Sequence, residues 1–163
     1  MQLVKNLEGD SPIILTQPHG GTYIPRNILN QYNEIGLCMS DTDWNINRLY
    51  DGLLEKASVV QALFSRYVID VNRDPSGESL YPGQNTTELC PTKNFEGQPI
   101  YKNGMEPDSK EVEKDYRVFT QFITRQSQNN FNVFVKNSDS HCFLIVILSN
   151  LNFPICLRGN CQI

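Results

Sequence analysis

Short apolar runs that end in polar residues are the main pattern of this chain. Ile13-Ile14-Leu15 lies between two prolines and predicts a buried strand that ends just before His19. Two further runs, residues 59–64 and 67–71, are rich in β-branched and aromatic residues and predict two more short strands. The first and third strands therefore deliver polar side chains to loops, His19 in one case and residues 72–75 in the other.

Two stretches have apolar residues at helical spacing. One follows Ser40-Asp41-Thr42-Asp43, whose side chains can cap a helix, and its predicted sheet-facing residues are Ile46, Leu49, Tyr50, Leu53 and Leu54. The other follows Asp108-Ser109-Lys110-Glu111, which has the form of a capping box, and its apolar face is Val112, Tyr116, Phe119 and Ile123.

Several polar residues next to these elements are candidates for chemistry. His19 precedes Gly20-Gly21, which allow a sharp turn and a close approach of the backbone. An exposed histidine in a tight turn is the simpler alternative. Of Asp41 and Asp43, helix capping needs only one, so the other is available as a metal ligand.

Arg66, Asn72 and Arg73 are suited to gripping a carboxylate, because a guanidinium beside an amide offers parallel hydrogen bonds. The alternative is an internal ion pair of Arg73 with Asp70 or Asp74. Residues 76–107 are rich in Gly, Pro, Asn and Thr, and a connection of this length predicts a functional loop that covers the site.

Composition limits the kind of partner. At 163 residues we expect one domain. A net charge of -4 and a pI near 5.1 argue against nucleic acid and a polybasic membrane surface, so a small molecule is the expected partner. The most apolar run, residues 142–148, is too short to span a bilayer, and we expect a cytoplasmic protein. Five irregularly spaced cysteines predict reduced thiols.

Five motifs, taken together and in order, resemble the N-formylglutamate deformylase (N-formylglutamate amidohydrolase) family. They are Pro18-His19-Gly20-Gly21, Asp41-Thr42-Asp43-Trp44, Leu49-Tyr50, the run from Ser65 to Arg73, and the run from Thr87 to Pro91. The resemblance covers residues 10 to 125.

The resemblance implies a fold and an activity. The implied fold is a three-layer α/β/α sandwich on a mixed sheet, similar to zinc carboxypeptidases. The implied reaction is zinc-dependent hydrolysis of N-formyl-L-glutamate to formate and glutamate in histidine degradation. The implied partner is thus a dicarboxylate N-acyl amino acid, and the implied cofactor is zinc.

Carried over by position, the resemblance assigns roles to six residues. His19 is implied as a zinc ligand, with Asp43 as the acidic ligand and Asp41 as its competitor. Asn72 and Arg73 are implied to hold the α-carboxylate of the substrate, and Arg66 to serve its other carboxylate.

The resemblance stops near residue 125. Family members continue with an Asp-x-His-Ser-Ile segment that supplies the third zinc ligand and a later acidic residue that is the general base, and neither is in this chain. In residues 126–163, ten of 38 residues are Asn or Gln. His141 is the one other histidine, but Ser-Ile does not follow it, so we do not expect it to ligate metal.

A shifted reading frame accounts for this tail. If codons 143–150 are read from their third base, they can encode the missing Asp-x-His-Ser-Ile motif. We therefore divide the chain into residues 1–125, the N-terminal part of an amidohydrolase domain incomplete at its C-terminus, and 126–163, an aberrant, frameshifted tail. The break is expected between Arg125 and Asn132. The chain as written is expected to be inactive, and the alternatives are a non-catalytic remnant or a hydrolase of another N-acyl amino acid.

Overall fold

A mixed sheet, with four strands among the described residues, is the framework of the protein. The computed structural model describes residues 2–11, 13–73 and 87–119, and the backbone of Leu144–Ile147. The strands are β1 (Val4–Leu7), β2 (Ile13–Gln17), β3 (Ser58–Ala62) and β4 (Leu144–Ile147), in the spatial order β1-β3-β2-β4. β1 runs antiparallel to β3, whereas β2 is parallel to both β3 and β4. The predicted mixed sheet of an α/β protein is confirmed.

Two of the predicted strands are present. The apolar run after residue 12 forms β2, in which Leu15 is buried, and the run at 59–64 forms β3. The backbone of Leu144–Ile147 forms β4, which pairs with β2 in the register Ile14 to Ile145. The sequence Leu144-Ile145-Val146-Ile147 is rich in β-branched residues, which have a high strand propensity.

The third predicted strand, residues 67–71, is wrong. Residues 66–68 form a turn in which the Val68 N–H donates to the Ser65 carbonyl at 3.0 Å. Tyr67, Val68 and Ile69 are all buried in the main core. The apolar run is therefore explained by burial inside the core rather than by pairing in the sheet.

The first predicted helix is much shorter than expected. Three short helices precede β3: α1 (Arg26–Leu29), α2 (Glu34–Cys38) and α3 (Ile46–Leu49). The residue before α3 is Asn45, with a left-handed φ of 63° and no side-chain cap bond, so capping by residues 40–43 is also wrong. Ile46 is buried, but Leu49 and Leu53 are exposed, because the helix ends at Leu49 and the chain turns away through Gly52 at φ 71°.

The capping-box prediction is confirmed. Helix α4 covers residues 109–119. The Asp108 carboxylate accepts from the Glu111 N–H at 2.9 Å, and the Glu111 carboxylate accepts from the Asp108 N–H at 3.2 Å. Phe119 of this helix is buried against Phe64, with ring centroids 4.8 Å apart. Ile123 lies outside the described residues.

The core lies between these elements and the loop after β3. Its members include three tyrosines in edge-to-face contact, with Tyr32 4.8 Å from Tyr101 and 6.4 Å from Tyr67 between ring centroids. Because β2 and β3 are parallel, their carboxyl ends meet at one edge of the sheet, which is the usual place for a site in such folds. Both the His19 loop and the loop of residues 63–73 leave from that edge. None of the helices among the described residues is long and apolar enough to cross a membrane.

Candidate functional site

His19 is buried at the carboxyl edge of the sheet, with only 2% of its surface exposed. The exposed-turn alternative is therefore wrong. Its loop packs tightly because of the two glycines that follow it. A Cβ on Gly20 would lie 2.8 Å from a methyl of Ile46, and a Cβ on Gly21 would lie 2.4 Å from the Leu63 backbone. The close backbone approach predicted for this pair is confirmed.

The two ring nitrogens of His19 face two different carboxylates. Nε2 lies 2.8 Å from Oδ1 of Asp70, in a buried hydrogen bond between residues 51 positions apart. Nδ1 lies 3.6 Å from Oδ2 of Asp43 and makes no hydrogen bond. The Asp43 N–H also donates to the His19 carbonyl at 3.0 Å, which holds the two backbones together.

Asp70 is the centre of the site. Its Oδ2 accepts from Nη2 of Arg66 at 2.7 Å, and its Oδ1 accepts from the Asn72 N–H at 3.0 Å. Nε of Arg73 lies 3.6 Å from Oδ2. Burial by itself raises the pKa of Asp70, but the His19 hydrogen bond and the charges of His19, Arg66 and Arg73 outweigh it and hold the pKa below its usual range.

The ionised state of Asp70 determines the tautomer of His19. An ionised carboxylate only accepts hydrogen bonds, so the proton of the Asp70–His19 bond belongs to Nε2. In a neutral ring the other nitrogen, Nδ1, then carries a lone pair. In this neutral form the lone pair of Nδ1 faces Asp43, whereas a charged ring would carry a proton on both nitrogens.

Arg66 joins Asp70 to the turn that carries the two candidate aspartates. Its Nη1 donates to the backbone carbonyl of Asp41 at 3.3 Å, and its guanidinium carbon lies 4.6 Å from the centre of the Phe95 ring. Asp41 in turn accepts from the Phe95 N–H at 2.9 Å and from the Ser40 hydroxyl at 3.3 Å.

The structure thus brings together some of the predicted residues and separates others. His19 and Asp43 adjoin each other, whereas the Asp41 carboxylate is bonded to Phe95 and Ser40. Asn72 and Arg73 lie beside Asp70, so the internal Arg73–Asp70 pair is present as a 3.6 Å contact. Asp74, residues 76–86 of the predicted loop and His141 lie outside the described residues.

Sequence reasoning missed Asp70 and Phe95 as parts of the site. Asp70 is the one acidic residue inside the apolar run 67–71, and it follows Arg66 by four positions. A buried carboxylate is normally paired with a cation or a hydrogen-bond donor, so an acidic residue inside an apolar run is the sequence signal that could have identified Asp70. For Phe95 the sequence carries no comparable signal.

The paired residues fit part of a zinc site. Nitrogen and oxygen ligands at about 2.0–2.2 Å from one tetrahedral zinc lie roughly 3.4 Å apart, close to the 3.6 Å between His19 and Asp43. Metal-bound histidines also commonly donate their other nitrogen to a carboxylate, as His19 does to Asp70. Within residues 2–11, 13–73 and 87–119, no group of three His, Cys, Asp or Glu side chains is placed to hold a metal.

Comparisons with known proteins agree with the family resemblance of the sequence motifs. The model of a family described as N-formylglutamate amidohydrolase matches residues 11–126. N-formylglutamate deformylases of Pseudomonas putida and Pseudomonas aeruginosa are each 39% identical to this chain, over 105 and 104 residues. These matches cover 64% and 63% of this chain but only 39% of each relative, so the chain matches about two fifths of their length.

A solved structure has a similar fold. The crystal structure of N-formylglutamate amidohydrolase from Ralstonia eutropha JMP134 matches with a TM-score of 0.67 at 15% sequence identity. The match covers 93% of this chain and 59% of that chain.

Proposed function

Because the chain belongs to the N-formylglutamate amidohydrolase family, we propose that its described residues form part of a zinc site for the hydrolysis of N-formyl-L-glutamate to formate and glutamate. The observation that carries this proposal is the placement of His19, with Nε2 bonded to Asp70 and Nδ1 unbonded beside Asp43. A tight-turn or packing role gives no reason to bury an unbonded ring nitrogen next to a carboxylate.

His19 and Asp43 are the proposed zinc ligands, with Asp41 as the less favoured alternative because Asp43 is the carboxylate that lies 3.6 Å from Nδ1 of His19. When bound, zinc lowers the pKa of a coordinated water and polarises the amide carbonyl. Asp70 holds the ring of His19 in the orientation and tautomer that ligation requires.

Substrate binding is proposed for the Asn72-Arg73 pair. Arg73 is more exposed than Arg66, with 15% of its side chain accessible against 5%, and its Nε lies 3.6 Å from Asp70. A guanidinium of this kind suits the α-carboxylate of an N-acyl amino acid. Arg66 is already bonded to Asp70 and Asp41, which argues against the second-carboxylate role that the resemblance implied.

The chain as written is proposed to be catalytically inactive. His19 and Asp43 leave an ion mostly hydrated, and the described residues place no third His, Cys, Asp or Glu beside them. The frameshift between Arg125 and Asn132, the domain division at 125/126, the carboxypeptidase-like three-layer sandwich, the role in histidine degradation and the cytoplasmic location remain parts of this proposal. A non-catalytic remnant is the corresponding alternative, and hydrolysis of another N-acyl amino acid keeps the same site.

Formate release tests the proposal directly. The 163-residue chain is expected to bind zinc weakly and to release no formate from N-formylglutamate, and restoring the reading frame near codons 125–132 is expected to recover both properties. The matched control is the restored chain carrying His19→Ala, which should lose both again. Robust formate release by the original chain, abolished by a chelator and by His19→Ala, would show that its residues are sufficient for catalysis.

A further inference from the structure

Arg66 is a buried cation with partners on two separate segments of the site. We infer that Arg66 is a positioning residue, which holds the His19-binding carboxylate of Asp70 and the turn that carries Asp43 at a fixed separation. The inference rests on the proposed function only in that it takes His19 and Asp43 to bind the same metal ion.

The contacts form a closed circuit. Arg66 donates to Asp70, Asp70 binds His19, and the His19 carbonyl accepts from the Asp43 N–H. The backbone then leads two residues back to Asp41, whose carbonyl accepts from Arg66. Because every link is buried or made by the backbone, displacement of one member changes the spacing of the others.

Phe95 closes a second, smaller circuit around the same guanidinium. Its ring lies over the Arg66 guanidinium at 4.6 Å, and its N–H donates to the Asp41 carboxylate at 2.9 Å. A flat guanidinium can stack on an aromatic ring while its edge donates to two acceptors, whereas a lysine ammonium cannot do both. The arrangement therefore uses the shape of arginine as well as its charge.

The same contacts distinguish positioning from substrate binding. Both terminal nitrogens of Arg66 already donate within the protein, and Phe95 covers one face of the guanidinium. The Arg66 side chain is only 5% exposed, so a substrate carboxylate has little access to its remaining N–H groups. Removal of Arg66 is thus expected to act on the geometry of His19 even when no substrate or metal is present.

The ratio of the two His19 tautomers reports on the position of His19 relative to Asp70. We would label the 163-residue chain with ¹⁵N-histidine, record the ring nitrogen resonances without metal at a pH high enough that the ring is neutral, and assign His19 with a His141→Gln variant. In the parent chain we expect the Nε2–H tautomer to dominate by at least about tenfold, the ratio that one hydrogen bond to a charged group supports. In Arg66→Lys we expect this ratio to fall to less than about threefold, because the lysine keeps the charge but cannot hold both partners.

Arg117→Lys is the matched control, since Arg117 pairs with Glu113 on the surface and should leave the ratio unchanged. Arg66→Met tests the loss of charge as well, and Arg66→Lys keeps the test available if the methionine variant does not fold. Folded Arg66→Lys chains with the parental ratio would overturn the inference. A parent chain dominated by the Nδ1–H tautomer would instead contradict the proposed metal ligation, so the two failures are distinguishable.

Discussion

Two arginine–carboxylate pairs in this protein have the same sequence spacing and nearly the same bond length but different surroundings. Arg66 and Asp70 are joined at 2.7 Å with side chains 5% and 0% exposed. Arg117 and Glu113 are joined at 2.6 Å with side chains 71% and 62% exposed. The buried carboxylate of Asp70 also binds His19 and the Asn72 N–H. The buried pair therefore positions other residues of the site, whereas the exposed pair only joins two side chains on a helix surface.

The difference arises from the backbone around each pair. Glu113 and Arg117 lie on α4, where residues four apart are neighbours on the helix surface. Arg66 and Asp70 lie in a turn and loop, held by the Val68 N–H to Ser65 carbonyl bond and by the Asp70 N–H to Leu89 carbonyl bond. The same spacing therefore predicts proximity in both places, but only the tertiary structure decides burial.

Removing each carboxylate should give the largest difference in stability between the two pairs. Asp70→Asn leaves the buried Arg66 without its charged partner and is expected to lower the free energy of unfolding by about 3–5 kcal/mol. Glu113→Gln removes an exposed pair and is expected to cost about 0.3–0.5 kcal/mol. Urea unfolding of the two variants and the parent chain measures both values. Equal losses in the two variants would show that burial does not strengthen the Arg66–Asp70 pair.

Low pH should reduce the loss of stability that Asp70→Asn causes. Folding holds the pKa of Asp70 below the value of about 3.9 of an unfolded aspartate, so its ionised form stabilises the protein above that pH. This contribution is lost as the pH falls below about 4, because the unfolded state then takes up a proton that the folded state resists. The deficit of Asp70→Asn should therefore shrink between pH 7 and pH 3 in unfolding experiments. A constant deficit would mean that Asp70 contributes through packing alone.

Salt should have the smallest effect, and on the exposed pair only. At 1 M salt the screening length is about 3 Å, so the exposed Glu113 and Arg117 interact weakly. We expect the few tenths of a kcal/mol lost in Glu113→Gln to disappear at 1 M NaCl, while the deficit of Asp70→Asn persists. The same urea series with and without salt tests this. A salt-sensitive Asp70 deficit would show that water reaches the buried pair.

Sequence reasoning recovered the elements with strong local signals. β2 and β3 follow from apolar runs, and α4 from its capping box. It missed β1, α1 and α2, because elements of four or five residues carry too few positions for a periodic pattern. Residues 67–71 were wrongly predicted as a strand, since burial in a loop and burial in a sheet select the same apolar residues.

The site was recovered only in part, for a related physical reason. The resemblance paired His19 with Asp43, and the structure places them together. The Asp70–His19 bond joins residues 51 positions apart, and no local pattern encodes such a contact. The Asp41 carboxylate is likewise bound by the Phe95 N–H, 54 positions away, and no local pattern predicts this contact either.

The assignment of His19 and Asp43 as the metal-binding pair can be tested by a zinc titration of the chain, followed at the ¹⁵N resonances of His19. The parent chain and Asp41→Asn should show a zinc-dependent shift at Nδ1, because an asparagine oxygen can still accept from the Phe95 N–H. Asp43→Asn should need at least about tenfold more zinc for the same shift, since it removes a ligand carboxylate. Equal weakening in both variants, or a response at Nε2 instead of Nδ1, would contradict the assignment of His19 and Asp43 as the metal-binding pair.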